Sequence, residues 1–336
     1  MYLVKEVNYS DWKENFQNCQ KINMLQCWQY GDAKIETSRW KAVRFLIMNE
    51  DGNAVAVAQA LSMTLPLIGG IARMNRGPLL IKRFDSEQDS KDIFNIITVL
   101  LDEFKKRRWW FVQIAPEIND SELAAKLLKN LGLKKLAVTP YASGLLDLQK
   151  DEKKLLMGLK KKWRYCLRKG QDLGLTVSTI VGNSVELETL LNRYKALQKD
   201  NDFVGLTDSL IISMANQVAE DWQFTLFIAS QKDSSDIKDC LGMLVSIQHA
   251  DTATYLIGVT SDAGRDLQVN YVLLWQAILD AKKNGCKWFD IGGLDATTPK
   301  GIAHFKKGVQ SDPYYLIGEW RGLMYPWKNI NNKIQC

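Results

Sequence analysis

The 336-residue chain is long enough for two domains of ordinary size, and its 46% hydrophobic and 24% charged residues indicate a globular rather than a disordered protein. No apolar run approaches the ~20 residues of a membrane-spanning helix, and the first residues lack the apolar core of a signal peptide, so we expect a cytoplasmic protein. Six scattered cysteines without a CxxC pair, with only two histidines to join them, argue against a zinc site or a disulfide framework and leave a Cys–His nucleophile pair as an alternative.

The positive charge of the chain is concentrated in one segment. The net charge is only +6, but the predicted helix over residues 152–172 contains Lys153, Lys154, Lys160, Lys161, Lys162, Arg164, Arg168 and Lys169. Such a run is usually a solvated helix face. Because Trp163 and Tyr165 are interleaved with it, phosphates of RNA, a nucleotide-linked sugar or an anionic membrane surface are alternative partners.

The first half of the chain is predicted to begin with a helix over residues 9–19 and to continue with strands. Residues 40–48 and 54–65 are apolar and β-rich, and Asp51-Gly52-Asn53 between them predicts a hairpin turn. A further strand spans residues 70–80, and Gly77-Pro78 within it predicts a bend or a splay. A helix over residues 90–107, a buried strand over 109–114, a helix over 122–130 and strands within 133–148 follow.

The second half repeats this order after the basic helix. Helices are predicted at residues 185–197 and 206–219, strands at 224–229, 240–248 and 254–260, a helix at 268–284 and a buried strand at 288–291, and residues 314–320 are expected to close the second sheet. A repeat of this length indicates duplication of an α/β unit. Antiparallel strands followed by a crossover helix are typical of the acetyltransferase (GNAT-like) fold. We therefore predict an α/β protein of two tandem GNAT-like domains, residues 1–150 and 151–336, with mixed, mostly antiparallel sheets flanked by helices.

Residues 285–307 are the segment best suited to carry chemistry. They read as a helix end, a short apolar strand, a glycine-rich exit loop and a new helix that Pro299 opens. The loop amides, the positive end of that helix and the side chains of Lys300, Lys306 and Lys307 would suit an anionic ligand or an oxyanion that forms during a reaction. The alternative is an ordinary strand-to-helix connection with surface lysines.

Several segments together resemble a known family over almost the whole chain. They are Leu25-Gln26-Cys27-Trp28-Gln29-Tyr30-Gly31-Asp32-Ala33-Lys34, Arg76-Gly77-Pro78, the basic helix around Trp163-Arg164, Tyr255-Leu256-Ile257-Gly258, Phe289-Asp290-Ile291-Gly292-Gly293 and Gly301-Ile302-Ala303-His304-Phe305-Lys306-Lys307-Gly308. Their order and joint presence resemble the Fem-type (FemABX) peptidyltransferases. That family consists of tandem GNAT-like proteins that transfer an amino acid from aminoacyl-tRNA to the side chain of a peptidoglycan-precursor peptide.

The resemblance implies a role for individual residues. Lys306 would be the catalytic residue at the reacting carbonyl, Lys34 and Trp28 would hold the phosphates and sugar of the acceptor, and Tyr255 would position its peptide. The remaining candidates for substrate binding are Arg76, Tyr271, Asp290, Lys300 and Lys307. The first domain would bind the acceptor precursor and the second would carry out acyl transfer. A base for the acceptor amine is not identified, and Asp290, Asp295 and Glu319 are candidates that could equally be structural carboxylates.

The resemblance also implies partners and shows departures. The partners would be aminoacyl-tRNA as co-substrate, a UDP- or lipid-linked peptidoglycan precursor and, peripherally, the inner membrane face; no metal and no other cofactor are expected. The acidic residue that often follows the Arg-Gly-Pro motif is absent, because Leu79-Leu80-Ile81-Lys82 stands there. The segment between the repeats also has no room for the helical-hairpin arm of some members, so RNA contact would fall to the basic helix.

Three other functions compete with this one. An acyl-CoA N-acyltransferase needs the same fold, but the expected phosphate-binding turns are acidic at Asp85-Ser86-Glu87-Gln88-Asp89 and keep a single glycine, Gly264, within residues 262–270. A second alternative changes the acceptor to a surface polysaccharide or a lipid-linked sugar intermediate, with acyl-CoA or another donor. A third is a non-catalytic RNA- or sugar-binding protein.

Overall fold

A computed structural model describes residues 2–65, 69–81, 87–231 and 237–324, and the side chains of residues 65, 87–91 and 238 are not described. The chain divides into two compact units. Unit 1 consists of the residues up to 141 together with those from 315 onward, and unit 2 consists of residues 142–314. Within the described residues, no helix is long and apolar enough to cross a membrane.

Unit 1 contains one mixed sheet and four helices among its described residues. Its strands are β1 (Leu3–Glu6), β2 (Lys41–Met48), β3 (Ala54–Leu65), β4 (Gly69–Asn75), β5 (Leu79–Leu80), β6 (Trp109–Ala115), β7 (Lys134–Lys135) and β15 (Trp320–Leu323). Its helices are α1 (Tyr9–Phe16), α2 (Trp28–Thr37), α3 (Glu87–Lys106) and α4 (Glu122–Asn130), with a 3₁₀ turn at Met24–Gln26. The strand order is β1-β2-β3-β4-β6-β15-β7, and β5 pairs with β3.

The core of unit 1 lies between the sheet and α3, as the helical spacing of apolar residues predicts. Ile93, Ile97, Leu100 and Phe104 recur every three or four residues along α3 and are buried against the sheet. The predicted bend also occurs, because β4 ends at Asn75 and β5 begins after residues 76–78. The helices α1 and α2 contact β2 and β3.

Unit 2 contains a second mixed sheet with the same order of elements. Its strands are β8 (Ala142–Asp147), β9 (Thr176–Val181), β10 (Trp222–Ser230), β11 (Gly242–His249), β12 (Thr252–Thr260), β13 (Trp288–Asp290) and β14 (Asp312–Tyr315). Its helices are α5 (Glu152–Gly158), α6 (Lys161–Asp172), α7 (Glu186–Asp200), α8 (Asp208–Asn216), α9 (Asp262–Asp266), α10 (Val269–Lys283) and α11 (Lys300–Lys307), with a 3₁₀ turn at Ile237–Asp239. The strand order is β14-β8-β13-β12-β11-β10-β9.

The core of unit 2 is built around α10. This helix contacts β10, β11 and β12 and packs against α6. Its buried Leu273 and Ile278 join Trp163 and Leu167 of α6 in one cluster with Phe289 of β13. The repeat predicted from the sequence is therefore present, with antiparallel strands, a crossover helix and a parallel buried strand in each unit.

The unit boundaries differ from the predicted ranges 1–150 and 151–336 in two segments. Strand β8 follows the first repeat in the sequence, yet it pairs antiparallel with β13 in the second sheet. The segment up to Trp320 was expected to close the second sheet, but only β14 does so, and β15 pairs with β6 and β7 in the first sheet. The two strands occupy equivalent places, β8 between β13 and β14, and β15 between β6 and β7. An apolar pattern predicts a strand but does not tell which of two similar sheets it joins.

Candidate active site

The sheet of unit 2 opens beside β13. Strand β12 pairs in parallel with β13 only where Thr252–Thr254 face Trp288–Asp290. After Thr254, β12 continues to Thr260 while β13 has ended, and the pairing of β12 with β11 skips Leu256, which marks a bulge. In unit 1 the equivalent strands β4 and β6 stay paired to their ends. We call the opening between residues 255–260 and 291–293 the wedge.

A buried carboxylate fixes the loop that leaves β13. Asp290 is only 4% exposed and accepts hydrogen bonds from the hydroxyl of Tyr314 (2.6 Å) and from the amide of Gly292 (2.9 Å). The hydroxyl of Ser143 lies between the Asp290 carboxylate and the carbonyl of Gly292 (2.8 Å). Asp290, which the sequence offered as a substrate-binding residue or a base, therefore holds the loop in shape.

Lys306 points into the wedge. It is 6% exposed, whereas Lys300 and Lys307 of the same helix are exposed to solvent. Its Nζ donates to the carbonyl of Gly293 (3.4 Å) and lies 4.5 Å from the ring centroid of Tyr255. Burial lowers the pKa of Lys306 to about 8, although the charges of Asp290 and Asp295 act in the opposite direction. Within the described residues Lys306 has no carboxylate in ion-pair contact.

Two glycines make room for the pair of Tyr255 and Lys306. Gly292 has a φ of 72°, and a Cβ there would lie 2.7 Å from the carbonyl of Tyr255 and 3.1 Å from Lys306 Nζ. A Cβ on Gly258 would lie 2.0 Å from the hydroxyl of Tyr255, so this glycine lets the phenol fold along β12. Burial also raises the pKa of Tyr255, which stays a neutral phenol. The glycines of two separate motifs thus serve one site.

An aromatic cluster holds the helix that carries Lys306. The ring of Phe305 stacks with Trp163 at 6.0 Å and meets Tyr271 edge-on at 5.1 Å. The indole of Trp163 donates to the carbonyl of Phe305 (3.1 Å). Burial and a hydrogen bond with Cys166 raise the pKa of Tyr271 to about 12. Tyr271, a predicted substrate-binding residue, therefore supports α11 one residue away from Lys306.

Four amides of the turn between β12 and α10 are bonded within the turn. The amide of Gly264 donates to Ser261 Oγ, and the amide of Arg265 donates to the carbonyl of Ser261. The amides of Leu267 and Gln268 donate to the carbonyls of Ala263 and Arg265, and all four distances are 3.0–3.1 Å. A Cβ on Gly264 would lie 2.1 Å from the carbonyl of Leu241, so the glycine serves packing rather than ligand approach. The corresponding segment of unit 1 begins at Asp85, and its first two residues, 85 and 86, lie outside the described part of the chain.

Unit 1 holds a second group of cations. Lys34 on α2 is half-buried, and burial and the charge of Arg73 on β4 lower its pKa. Arg73 donates to Asn75 (2.8 Å) and to Glu319 (3.2 Å), and the buried phenol of Tyr30 also lies within electrostatic range of it. No carboxylate in the described residues pairs with Lys34. Lys34 was a predicted site residue and Arg73 was not, although Arg73 and Asn75 alternate with the buried Ala72 and Met74 along β4, which was an available signal.

Trp28 and Arg76, two further predicted substrate-binding residues, have partners in unit 1. The guanidinium of Arg44 lies 3.8 Å from the ring centroid of Trp28, which is half-buried beside the ring of Tyr9. Arg76 makes a two-point ion pair with Glu117 (2.7 and 2.8 Å). Both side chains thus stabilise the fold of unit 1, and their role in binding stays a prediction.

The other two candidate bases also have structural partners. Asp295 accepts hydrogen bonds from the amide (2.9 Å) and hydroxyl (2.5 Å) of Thr297. Glu319 belongs to unit 1, where it bonds Arg73 and Gln113. Among the described residues, no group of three or more His, Cys, Asp or Glu side chains could hold a metal ion.

Comparisons with known proteins bear on the fold of the chain. Residues 158–307 match the family model of the acetyltransferase (GNAT) domain, which covers the wedge and α11. No curated protein matches the chain significantly by sequence.

Solved structures show the tandem fold. The crystal structure of FemX has a TM-score of 0.74 at 17% identity, over 96% of this chain and 97% of that chain. A tandem GNAT protein from the clavulanic acid biosynthesis pathway has a TM-score of 0.53 at 9% identity, over 97% of this chain and 99% of that one. L-PGS from Bacillus licheniformis has a TM-score of 0.54 at 9% identity, over 95% and 93%. The predicted fold of two tandem GNAT-like units is confirmed.

Proposed function

We propose that this chain, a tandem GNAT protein with the FemX-type fold, is an aminoacyltransferase that uses aminoacyl-tRNA to extend the peptide of a peptidoglycan precursor. The observation that carries the proposal is the buried ammonium of Lys306, which points into the wedge and pairs with no carboxylate of the described residues. A desolvated charge is unfavourable unless something compensates it, so an oxygen that becomes negative during a reaction would be strongly attracted there.

The proposed reaction is acyl transfer from an ester to an amine. The acceptor amine attacks the ester carbonyl and forms the C–N bond, the C–O bond to the ribose breaks, and the proton of the amine passes to the leaving ribose oxygen. The carbonyl oxygen is negatively charged in between, and Lys306 donates to it. Tyr255 and the carbonyl of Gly293 orient the ammonium. No residue of the chain needs to form a covalent intermediate.

The donor is proposed from the turn before α10. A coenzyme A pyrophosphate is bound by backbone amides that point away from the turn. Here the amides of residues 264, 265, 267 and 268 bond internally, and Asp262 and Asp266 add negative charge. These contacts favour a donor other than acyl-CoA, and aminoacyl-tRNA supplies the activated ester. A cytoplasmic location would bring the chain together with that donor.

The acceptor is proposed from the cations of unit 1. Arg73 pairs with Glu319, whereas Lys34 pairs with no carboxylate in the described residues, and this excess of positive charge suits the phosphates of a UDP- or lipid-linked precursor. Lys34→Met should raise KM for a phosphate-bearing acceptor about tenfold or more, as the loss of a charge-assisted contact does. Lys41→Met is the matched control, since Lys41 is exposed on β2. Equal KM values for the two variants would contradict the assignment.

The test of the proposal is label transfer by the purified protein. Charged tRNAs and acyl-CoAs serve as donors, and UDP-linked precursors, lipid-linked precursors and phosphatidylglycerol serve as acceptors. Transfer that ribonuclease abolishes and Lys306→Met lowers by two to three orders of magnitude supports the proposal. Transfer from acyl-CoA to a sugar or lipid acceptor would support the alternative N-acyltransferase instead. A protein that binds RNA or a glycan but transfers nothing would be a binding module.

A further inference from the structure

The outer surface of α5 and α6 carries almost all of the net charge of the protein. Residues 151–172 contain eight basic and three acidic side chains, a net charge of +5, whereas the whole chain carries +6. The rest of the chain is thus close to neutral. Charge concentrated in this way produces a local positive potential that a uniformly charged protein lacks.

The exposed side of α6 forms one continuous face. Lys161, Tyr165 and Arg168 follow one another at helical spacing, and Lys162 and Lys169 flank them, whereas the opposite side is buried through Trp163, Cys166, Leu167 and Gly170. Tyr165 is 67% exposed in the middle of the charges. We call the exposed residues Lys153, Lys160, Lys161, Lys162, Tyr165, Arg168 and Lys169 the basic face. No ion pair within the described residues involves any of its cations.

The charges at the start of α6 are unfavourable for the helix itself. Its N-cap is Lys160, no side chain caps it, and its first turn contains Lys161 and Lys162 but no acidic residue. A cation beside the positive end of a helix dipole is destabilising. Folding therefore does not explain these lysines. Arg164 differs from them, because it donates to the carbonyls of Met157 and Leu159 and closes α5.

The basic face is attached to the candidate active site within unit 2. The amide of Lys160 donates to the carbonyl of Gly308 (3.0 Å), and Trp163 contacts Phe305 from the buried side of α6. These contacts fall on both sides of Lys306 in the sequence. A polymer bound along α6 would consequently lie next to the helix that carries the catalytic candidate.

We propose that the basic face of α5 and α6 binds the phosphate backbone of RNA and so holds the donor beside the wedge. This inference rests on the proposed aminoacyl-tRNA donor and names the surface that receives it. The cations pair with phosphates, and exposed Tyr165 provides a ring on which an unpaired base stacks. Sequence-independent backbone contacts of this kind make binding steeply dependent on salt.

The experiment measures the binding of a fluorescent RNA stem-loop with a single-stranded 3′ end. The RNA carries no amino acid, and binding is followed by anisotropy over a range of salt concentrations. The variant is the triple change Lys160→Gln, Lys161→Gln and Lys162→Gln. Loss of three phosphate contacts should make the negative slope of log K against log salt shallower by about two to three. It should also weaken binding about 100-fold near 0.1 M salt. The matched control replaces exposed Lys126, Lys129 and Lys134 of unit 1 by Gln and should leave both values unchanged.

Folding does not confound the result, because removal of cations from the start of α6 should leave the thermal midpoint equal or slightly higher. Equal slopes for the triple variant and the control would overturn the proposal. So would binding to vesicles of equimolar phosphatidylglycerol and phosphatidylcholine without binding to RNA. RNA binding through this face without RNA-dependent transfer would support the RNA-binding surface and contradict aminoacyl-tRNA as the donor. Undiminished RNA-dependent transfer with an unchanged KM in the triple variant would contradict the RNA-binding surface and support the proposed function.

Discussion

Replacement of Lys306 by methionine should leave the protein as stable as before or more stable, while it lowers the proposed transfer activity by two to three orders of magnitude. The pKa of Lys306 falls from 10.5 to about 8 in the folded chain because the ammonium is buried. This lowering of the pKa of Lys306 from 10.5 to about 8 corresponds to about 3 kcal/mol of unfavourable free energy for the charged form at neutral pH. Methionine keeps the length and much of the apolar stem without this charge, so at pH 7 the free energy of unfolding should rise by up to about 3 kcal/mol.

The pH dependence of the unfolding free energy is a second test of the sign of this stability change. Between pH 8 and pH 10.5 the unfolded chain still binds the Lys306 proton and the folded chain does not, so the stability of the unaltered protein rises with pH in that range. The difference between the variant and the unaltered protein should therefore shrink as the pH rises above 8. Other titrating groups are common to both proteins and cancel in the difference.

Urea unfolding followed by tryptophan fluorescence at several pH values between 7 and 10 measures this difference. Lys307→Met is the control, because Lys307 is exposed on the same helix, and its effect should stay within about 0.5 kcal/mol at every pH. If Lys306→Met lowers stability by more than about 1 kcal/mol at all pH values, the ammonium is well compensated in the folded chain and the reasoning about its charge is wrong.

Three further predictions concern the same site. The rate of the chemical step should fall as the pH rises through about 8, because Lys306 loses its charge there, and single-turnover rates of Lys306→Met should lack this decline. Gly258→Ala should impair transfer by displacing the hydroxyl of Tyr255, and the loss should be smaller in a Tyr255→Phe background. Gly301→Ala is the control and should be active, because a Cβ there meets no neighbouring atom. Asp290→Asn should lower the unfolding free energy by about 1–3 kcal/mol, since a neutral amide offers one acceptor where the carboxylate has two, and unchanged denaturation midpoints would refute that role.

The sequence predicted the repeated elements well where an apolar pattern was strong. The helices α3 and α10 and the buried strands β6 and β13 follow from spacing alone, and α11 begins directly after Pro299 as expected. The edge strands β1 and β9 were missed, since most of their residues are exposed and form no apolar alternation. Helix α2 was missed because Gly31 and several polar residues interrupt its pattern.

The candidate site could be predicted only in part. Lys300, Lys306 and Lys307 were grouped by charge, yet only Lys306 is buried. Spacing did not report this burial, because Ile302, one turn before Lys306, is exposed and Val309 lies beyond the end of α11. The contacts of Asp290 with Ser143 and Tyr314 join residues far apart in the sequence, and no local pattern reports them.

The return of the chain to its first sheet determines the order in which the two units can be completed. During synthesis, all residues of unit 2 precede β15, so the second unit can close while the first still lacks the strand between β6 and β7. A gene cut after residue 150 would yield a fragment with β8 but without its partner β13, and with an open gap where Trp320 fills the core. Unit 2 is thus inserted in the sequence of unit 1, and a cut at residue 150 separates paired strands of both sheets.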